Sequence, residues 1–186
     1  SPIILFFRII NGKEDSRRIL EKYTYYNKEK SDATIWFHGA SVGEIMSILP
    51  LIKKFEKDKS IKKILLTSST ISSALIIKKK LLKKTIHLYY PFDIGFICNN
   101  FLNNWSPKIA IFVDSEIWPN MYQKIKLKKI PLILINARIT SKSFNRWQIF
   151  PSFAEDVFKK ITIALPQNQE TKQYLKILGV KKIKLI

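Results

Sequence analysis

The chain has 186 residues, 46% of them apolar, and carries 33 Lys and Arg against 14 Asp and Glu for a formal net charge of +19. That length supports one large domain or a part of something bigger, with ample apolar content for a core. One cysteine, Cys98, and two histidines exclude an internal disulfide framework and argue against a Cys/His zinc site.

Taken in chain order, PIILFF (Pro2 to Phe7) is apolar but far shorter than the roughly 20 residues that cross a bilayer. Arg8 and the basic, helix-like RRILEKYTYYNKEK follow. This stretch reads either as the tail of an upstream membrane anchor or interfacial segment, or as an ordinary helix packed on the domain. Residues 1–30 are therefore set apart as an N-terminal membrane-proximal or helical segment, and residues 31–186 as one domain.

From Thr34 onward the pattern alternates. Strand-like runs are TIWFH (34–38), KKILLTS (62–68), TIHLYY (85–90), KIAIFV (108–113), PLILIN (131–136) and ITIAL (161–165). Helix-length segments lie between them, over Gly43 to Lys57, Ile71 to Lys83, Ile94 to Asn104, Trp118 to Lys128, Ser143 to Lys159 and Asn168 to Leu178. Gly179 stops the last of these as a residue just past a helix end. KKIKLI opens one more strand, and the expectation is that a second domain follows it. The strands are short, unbroken and β-branched, as in sheets covered on both faces. Strand–helix alternation predicts right-handed crossovers, hence an α/β fold: a doubly wound, mostly parallel, Rossmann-like sheet with helices on both faces. Cys98, within IGFICNNF, is expected as a buried small hydrophobe.

The lysines cluster at helix ends and connections. They predict either solvated helix faces or attraction to a polyanion. Nucleic acid is the weaker partner, because the aromatic residues lie in apolar runs and not among the basic ones.

Polar residues gather where the strands end. The first strand gives His38, Ser41 and Glu44, the second Thr67 to Thr70, the third Asp93, the fourth Asp114, Ser115 and Glu116, and the fifth Asn136 and Arg138. In open α/β sheets that edge is where ligands bind. Ser69, Thr70 and Asp93 read equally well as helix N-caps, and Asp114 or Glu116 as a charge favouring the next helix's positive end. Three carboxylates and an arginine on one rim exceed what capping needs. Glu44, delivered by a glycine turn to a helix start, is a candidate general base. Nucleotide loops of the GxxxxGK[ST] and GxGxxG types, HEXXH and GxSxG are absent, and no carboxylate spacing suggests a metal. His87, inside a strand, reads as structural.

Six blocks then point in one direction: NGKEDSRR (Asn11 to Arg18), IWFHGASVGE (Ile35 to Glu44) with LPLI behind it, YYPFD (Tyr89 to Asp93), DSEIWPN (Asp114 to Asn120), INARIT (Ile135 to Thr140) and ALPQNQET (Ala164 to Thr171). In this order and spacing the chain resembles the N-terminal half of the bacterial 3-deoxy-D-manno-octulosonic acid (Kdo) transferase family. The resemblance implies a two-domain GT-B glycosyltransferase whose N-terminal domain receives a lipid A precursor (lipid IVA). A C-terminal domain, not in this chain, binds the donor CMP-Kdo. It implies an inverting, metal-independent reaction without a cofactor, on the cytoplasmic face of the inner membrane, whose anionic surface suits the basic excess. It gives Glu44 the role of general base and Asp114, where the family usually has Glu, a role in stabilising the transition state. Ser41, Gly43, Glu116 and Arg138 fall near the acceptor. Without its donor half the chain is expected to be inactive. The alternative is a non-catalytic basic α/β module that binds anionic membrane or another polyanion.

Overall fold

Runs with no polar alternation must be covered from both sides; three of the six strands are buried along their whole length, and the other three keep partly exposed positions. The computed structural model describes residues 15–26, 33–80 and 82–185. Its strands are β1 (Ile35–His38), β2 (Ile64–Ser68), β3 (Thr85–Tyr89), β4 (Ala110–Val113), β5 (Leu132–Ala137) and β6 (Ile163–Pro166). All pair in parallel, in the order β3-β2-β1-β4-β5-β6. The helices among the described residues are α1 (Val42–Lys57), α2 (Ile71–Lys78), α3 (Gly95–Trp105), α4 (Pro119–Leu127), α5 (Ser141–Gln148), α6 (Pro151–Phe158) and α7 (Gln169–Ile177).

Alternate residues of each strand feed two cores. Phe37, Ile64, Leu66 and Val113 face α1 and α2 through Ile45, Ile48, Ile52 and Ile77. Trp36, Leu65, Phe112 and Leu134 face the other side, where Cys98, Phe101, Met121, Val157 and Leu175 close over them. The doubly wound architecture and the buried Cys98 expected from the sequence are both present. Burial and the neighbouring Asp93 push the Cys98 thiol well above its ordinary value, which suits packing and not reactivity. The last segment adds a parallel bridge from Ile183 to Ala164, where a further strand was expected.

Three helical segments differ from the sequence reading. The stretch Ser143 to Lys159 breaks into α5 and α6 because Pro151 has no amide to donate and drives Phe150 out of the helical region (φ −129°, ψ 76°). Ile71 to Lys83 ends early, at Lys78. The helix expected in 17–30 is, in its described part, a short 3-10 turn over Ile19–Tyr23 that ends at Thr24 with φ +66°. Pro2 to Phe7 lies outside the described residues. The turn straps the sheet's edge: Arg18 donates to the His87 carbonyl (2.9 Å), Glu21 accepts from the Tyr89 amide (2.9 Å), and the two side chains pair at 2.7 Å. Such capping blunts an edge strand that would otherwise invite pairing. His87 Nδ1 accepts from Arg18 (3.2 Å), which leaves Nε2–H to donate to Ser68 Oγ (2.9 Å). Burial, then the Arg18 charge, hold its pKa down to about 3, so it is a neutral structural residue. No helix among the described residues is long and apolar enough to cross a membrane.

Asp93 is a cap, but for a different helix than the sequence suggests. Its carboxylate accepts from the amides of Asn120 (3.1 Å) and Met121 (2.7 Å), and the Asn120 side chain donates back to the Asp93 carbonyl (2.8 Å). It thus closes the first turn of α4 from across the sheet, where Trp118 gives no side-chain cap. Asp93→Ala should lower stability by about 1–2 kcal/mol in denaturant unfolding, the cost of lost caps. An unchanged midpoint would contradict this reading.

Candidate functional site

Strand order reverses between β1 and β4: the chain leaves β1 towards one edge of the sheet and β4 towards the other. That reversal opens a crevice at the carboxyl ends of the two strands. β1 delivers His38 to Glu44 into it, and β4 delivers Asp114 to Trp118.

Glu44 is the third residue of α1, and Ser41 is its N-cap. The spacing Ser41-Val42-Gly43-Glu44 is a capping box, S-x-x-E, a signal that the sequence reading left unused. Ser41 Oγ accepts from the Glu44 amide (3.3 Å) and donates to Glu44 Oε1 (2.7 Å). The other carboxylate oxygen takes the Ala40 amide at 2.8 Å, one residue before the usual partner in such a box. Gly39 makes this fold-back feasible, since a Cβ there would stand 3.2 Å from Glu44 Cβ. Gly43 differs: a Cβ there would meet only Ser41 Oγ, at 4.0 Å. The fold does not need that glycine, and it leaves the backbone over the rim open.

Burial raises the pKa of Glu44. The bonds from Ser41 and Ala40 act against that, and the nearby Glu116 and Asp114 charges add to it, with a net upward result. A carboxylate moved in that direction is a better proton acceptor near neutral pH than an ordinary glutamate.

Asp114 sits in the left-handed region at φ +61°, a conformation Asp accepts at small cost. Its amide donates to the Ile135 carbonyl (3.1 Å), and its carbonyl accepts from the Arg138 amide (3.3 Å). The ends of β4 and β5 are thereby knitted together, and Arg138 stands exposed beside them. Glu116 is more tightly held than the sequence suggests. Its Oε2 accepts from Trp118 Nε1 (2.9 Å) and pairs with His38 Nε2 (3.0 Å), while the Tyr122 hydroxyl donates to its carbonyl (2.8 Å). Neither Asp114 nor Glu116 caps α4; Asp93 does that. Thr70 is a plain N-cap, accepting from Ser73 at 3.2 Å, and the Ser69 amide donates to Ala40 at 3.2 Å.

The structure thus brings Ser41, Gly43, Glu44, Asp114 and Glu116 to one crevice, with Arg138 at its β5 side. Among the described residues no three His, Cys, Asp or Glu side chains gather as a metal set. A cavity of about 840 Å³ lies elsewhere, between the 3-10 turn, α2 and β3, lined by Arg17, Leu20, Leu75 and Tyr89 among others, and no rim residue contributes to it.

The model of the family described as 3-Deoxy-D-manno-octulosonic-acid transferase (kdotransferase) matches residues 17–186. Relatives named 3-deoxy-D-manno-octulosonic acid transferase include one from Rickettsia bellii, 36% identical over 96% of this chain and 43% of its own length. Another, from Haemophilus influenzae, is 28% identical over 99% of this chain and 44% of its own. A relative from Arabidopsis thaliana, named a probable mitochondrial enzyme of that kind, is 34% identical over 79% of this chain and 34% of its own. The chain spans less than half the length of these relatives.

Because the folded-state pKa of Glu44 is raised, the stability it contributes is present below the ordinary carboxylate value and is lost as pH rises through the raised one. Thermal unfolding of wild type and Glu44→Gln at pH 4 and pH 7.5 should show the variant gaining on wild type at the higher pH. If Glu44 served only as a cap, the variant would instead lose on the order of 0.5–2 kcal/mol at pH 7.5.

Proposed function

The chain belongs to the 3-deoxy-D-manno-octulosonic acid transferase family, and from that premise we propose that it is the acceptor-binding domain of a glycosyltransferase of lipopolysaccharide biosynthesis. The observation that carries the proposal is Glu44: a half-buried carboxylate of raised pKa at the switch point, under a backbone left open by Gly43.

In this reading the acceptor is a lipid A precursor, lipid IVA, and the donor is CMP-Kdo, held by a second domain. Glu44 takes the proton of a glucosamine hydroxyl. The hydroxyl oxygen attacks the anomeric carbon of Kdo from the face opposite the leaving group, the bond to CMP breaks with its electron pair going to the phosphate oxygen, and the anomeric centre inverts. A sugar hydroxyl is a poor nucleophile, and a positioned base is worth roughly 10²–10⁴-fold. Asp114 offers a negative charge to the positive character that develops on the departing sugar. Ser41 and Gly43 shape the approach, Glu116 accepts from the acceptor's polar groups, and the exposed Arg138 guanidinium suits an acceptor phosphate. The reaction so described needs neither metal nor cofactor, since the carboxylate moves the proton and the nucleotide is already a good leaving group. In this reading the protein works at the anionic cytoplasmic face of the inner membrane, where its acceptor is embedded; the net charge of +19 draws it to that surface, and the crevice, not the lysines at the far ends of the helices, engages the acceptor.

The test uses a protein that joins this domain to its donor-binding domain. Glu44→Gln should cut kcat by about 10²–10⁴-fold while acceptor binding persists; unchanged turnover would remove Glu44 as the base, and absence of turnover in the wild-type protein would favour a non-catalytic anion-binding module. Gly43→Ala should fold at least as stably, since alanine gains up to about 1 kcal/mol over glycine in a helix, yet bind the acceptor more weakly. Undiminished acceptor affinity in that variant would mean that the substrate does not approach over Gly43.

A further inference from the structure

His38 has no exposed surface, yet both its ring nitrogens are engaged. Its ring stacks on Tyr90 (centroids 3.9 Å apart) and meets Phe112 and Trp118 edge-on at 5.1 and 6.2 Å. Nε2 faces Glu116 Oε2 at 3.0 Å. Nδ1 faces Thr67 twice, its hydroxyl at 3.0 Å and its carbonyl at 3.2 Å. Thr67 Oγ1 accepts from Trp36 Nε1 (2.9 Å) and lies 3.3 Å from the Phe37 carbonyl. A polar chain therefore runs through the apolar core, from Trp36 through Thr67 and His38 to the carboxylate of Glu116 at the rim.

The partners decide where the protons sit. When His38 is neutral, the Thr67 hydroxyl donates to Nδ1 and the hydrogen rests on Nε2, aimed at Glu116. When His38 is charged, Nδ1 donates to Thr67, the Thr67 hydroxyl turns to the Phe37 carbonyl, and Nε2 still donates to Glu116. Between the two states Nδ1 gains a proton and the Thr67 hydroxyl turns, while Nε2–H stays in place. Facing an ionised carboxylate, Nε2 is a donor in both. Glu116 is then fixed by two donors, His38 Nε2 and Trp118 Nε1, both anchored in one aromatic cluster with Tyr90.

We propose that His38 is a positioning residue of the site: its Nε2–H clamps the Glu116 carboxylate at the rim, so that Glu116 stands as a fixed charge beside Glu44. As a statement about catalysis this rests on the transferase reading above; as a statement about geometry and charge it does not. The titratable groups that face this corner are Glu44 from α1, Asp114 beside β4, Asp93 from the β3–α3 connection, Tyr90, and Tyr122 from α4. Both tyrosines are pushed well above their ordinary pKa, chiefly by burial, and stay neutral. Asp93 is committed to the α4 amides; burial is the main cause of the raised Glu44 pKa, and the charges of Glu116 and Asp114 add to it. Freeing Glu116 lets its charge move off, and Glu44 should then titrate lower.

Three variants separate hydrogen bonding from packing. His38→Phe keeps an aromatic ring in the cage but has no donor. His38→Gln loses the stacking but carries an N–H at about the position of Nε2. Glu116→Gln removes the charge that is clamped. In this chain, ¹³C-carboxyl NMR should show the Glu44 titration midpoint moving to lower pH in His38→Phe and in Glu116→Gln. The double variant should move no further than Glu116→Gln alone, and His38→Gln should stay near wild type. In the transferase joined to its donor domain, His38→Phe should lower kcat/KM by about 10–100-fold, the value of a hydrogen bond to a charged group. The acid limb of its pH profile should shift in the same direction as the NMR midpoint, and His38→Gln should recover most of the loss. The proposal is overturned if His38→Phe leaves the Glu44 titration and the pH profile at wild type, or if Phe preserves both and only Gln lowers stability and activity, the pattern of a packing residue. Should His38→Phe or the double variant fail to fold, the outcome rests on His38→Gln against Glu116→Gln: matching shifts in the Glu44 midpoint would overturn the clamp, and a wild-type midpoint in His38→Gln alone would support it. Failure of the transferase reading looks different. There the wild-type protein joined to its donor domain would show no sugar transfer, while the NMR titrations still report on the clamp.

Discussion

The amide of Ala40 and the hydroxyl of Ser41 hold one carboxylate back over the turn that begins α1, and the chemistry of the rim depends on that fold-back. A glutamate at the third position of a helix normally reaches into solvent or back to the N-cap. Here the missing side chain of Gly39 lets the backbone press against Glu44 Cβ, so the carboxylate is half-buried while both its oxygens have donors. Desolvation and two neighbouring carboxylates then outweigh those donors. The balance matters because a fully satisfied, depressed carboxylate would be a good cap and a poor base. Other rim features support this placement: Asp114 ties β4 to β5 through its own backbone, and Asp93 frees Glu116 from capping α4 by doing so itself.

Charge is distributed by the same topology. In a parallel α/β sheet each crossover starts at the rim and returns to the opposite pole. Cations are favoured at helix ends by the helix dipole, and lysines close α1, α2, α4 and α7. Lys62, Lys63, Lys83, Lys84 and Lys108 add to that pole by preceding strands. The net charge of +19 therefore says little about the crevice, where the carboxylates dominate and Arg138 is the cation at hand. A polyanion attracted to the chain as a whole meets the lysine pole; a ligand recognised by the crevice must combine hydroxyls for its carboxylates with an anionic group for Arg138.

Much of this was legible in the sequence, for identifiable reasons. Continuous apolar runs marked each strand to within two residues; β1, β2 and β4 are buried throughout, and the other three keep enough buried positions to read as strands. Gly179, with φ +101°, ended α7 as a glycine there should. The rim residues were found because strand ends are easy to locate and all parallel strand ends share one edge. What escaped notice was of two kinds. Some of it was local and readable: Pro151 announces the break between α5 and α6, and S-x-x-E at Ser41 to Glu44 is a capping signal that gives Glu44 a structural duty beside a chemical one. The rest was not local at all. The pairing of His38 with Glu116 spans 78 residues, and Asp93 caps a helix that begins 26 residues later; no periodicity carries such contacts, which exist only once β1 lies beside β4 and the β3–α3 connection meets the start of α4.

The most direct test of the account is to map where a bisphosphorylated, acylated glucosamine disaccharide binds on ¹⁵N-labelled chain by amide shift perturbation at low and moderate salt. The account predicts saturable shifts at His38 to Glu44, Asp114 to Glu116 and Arg138 that survive moderate salt. Shifts confined to the lysine pole, at Lys78, Lys83 and Lys128, and abolished by salt would show generic charge attraction and contradict the crevice as the acceptor site.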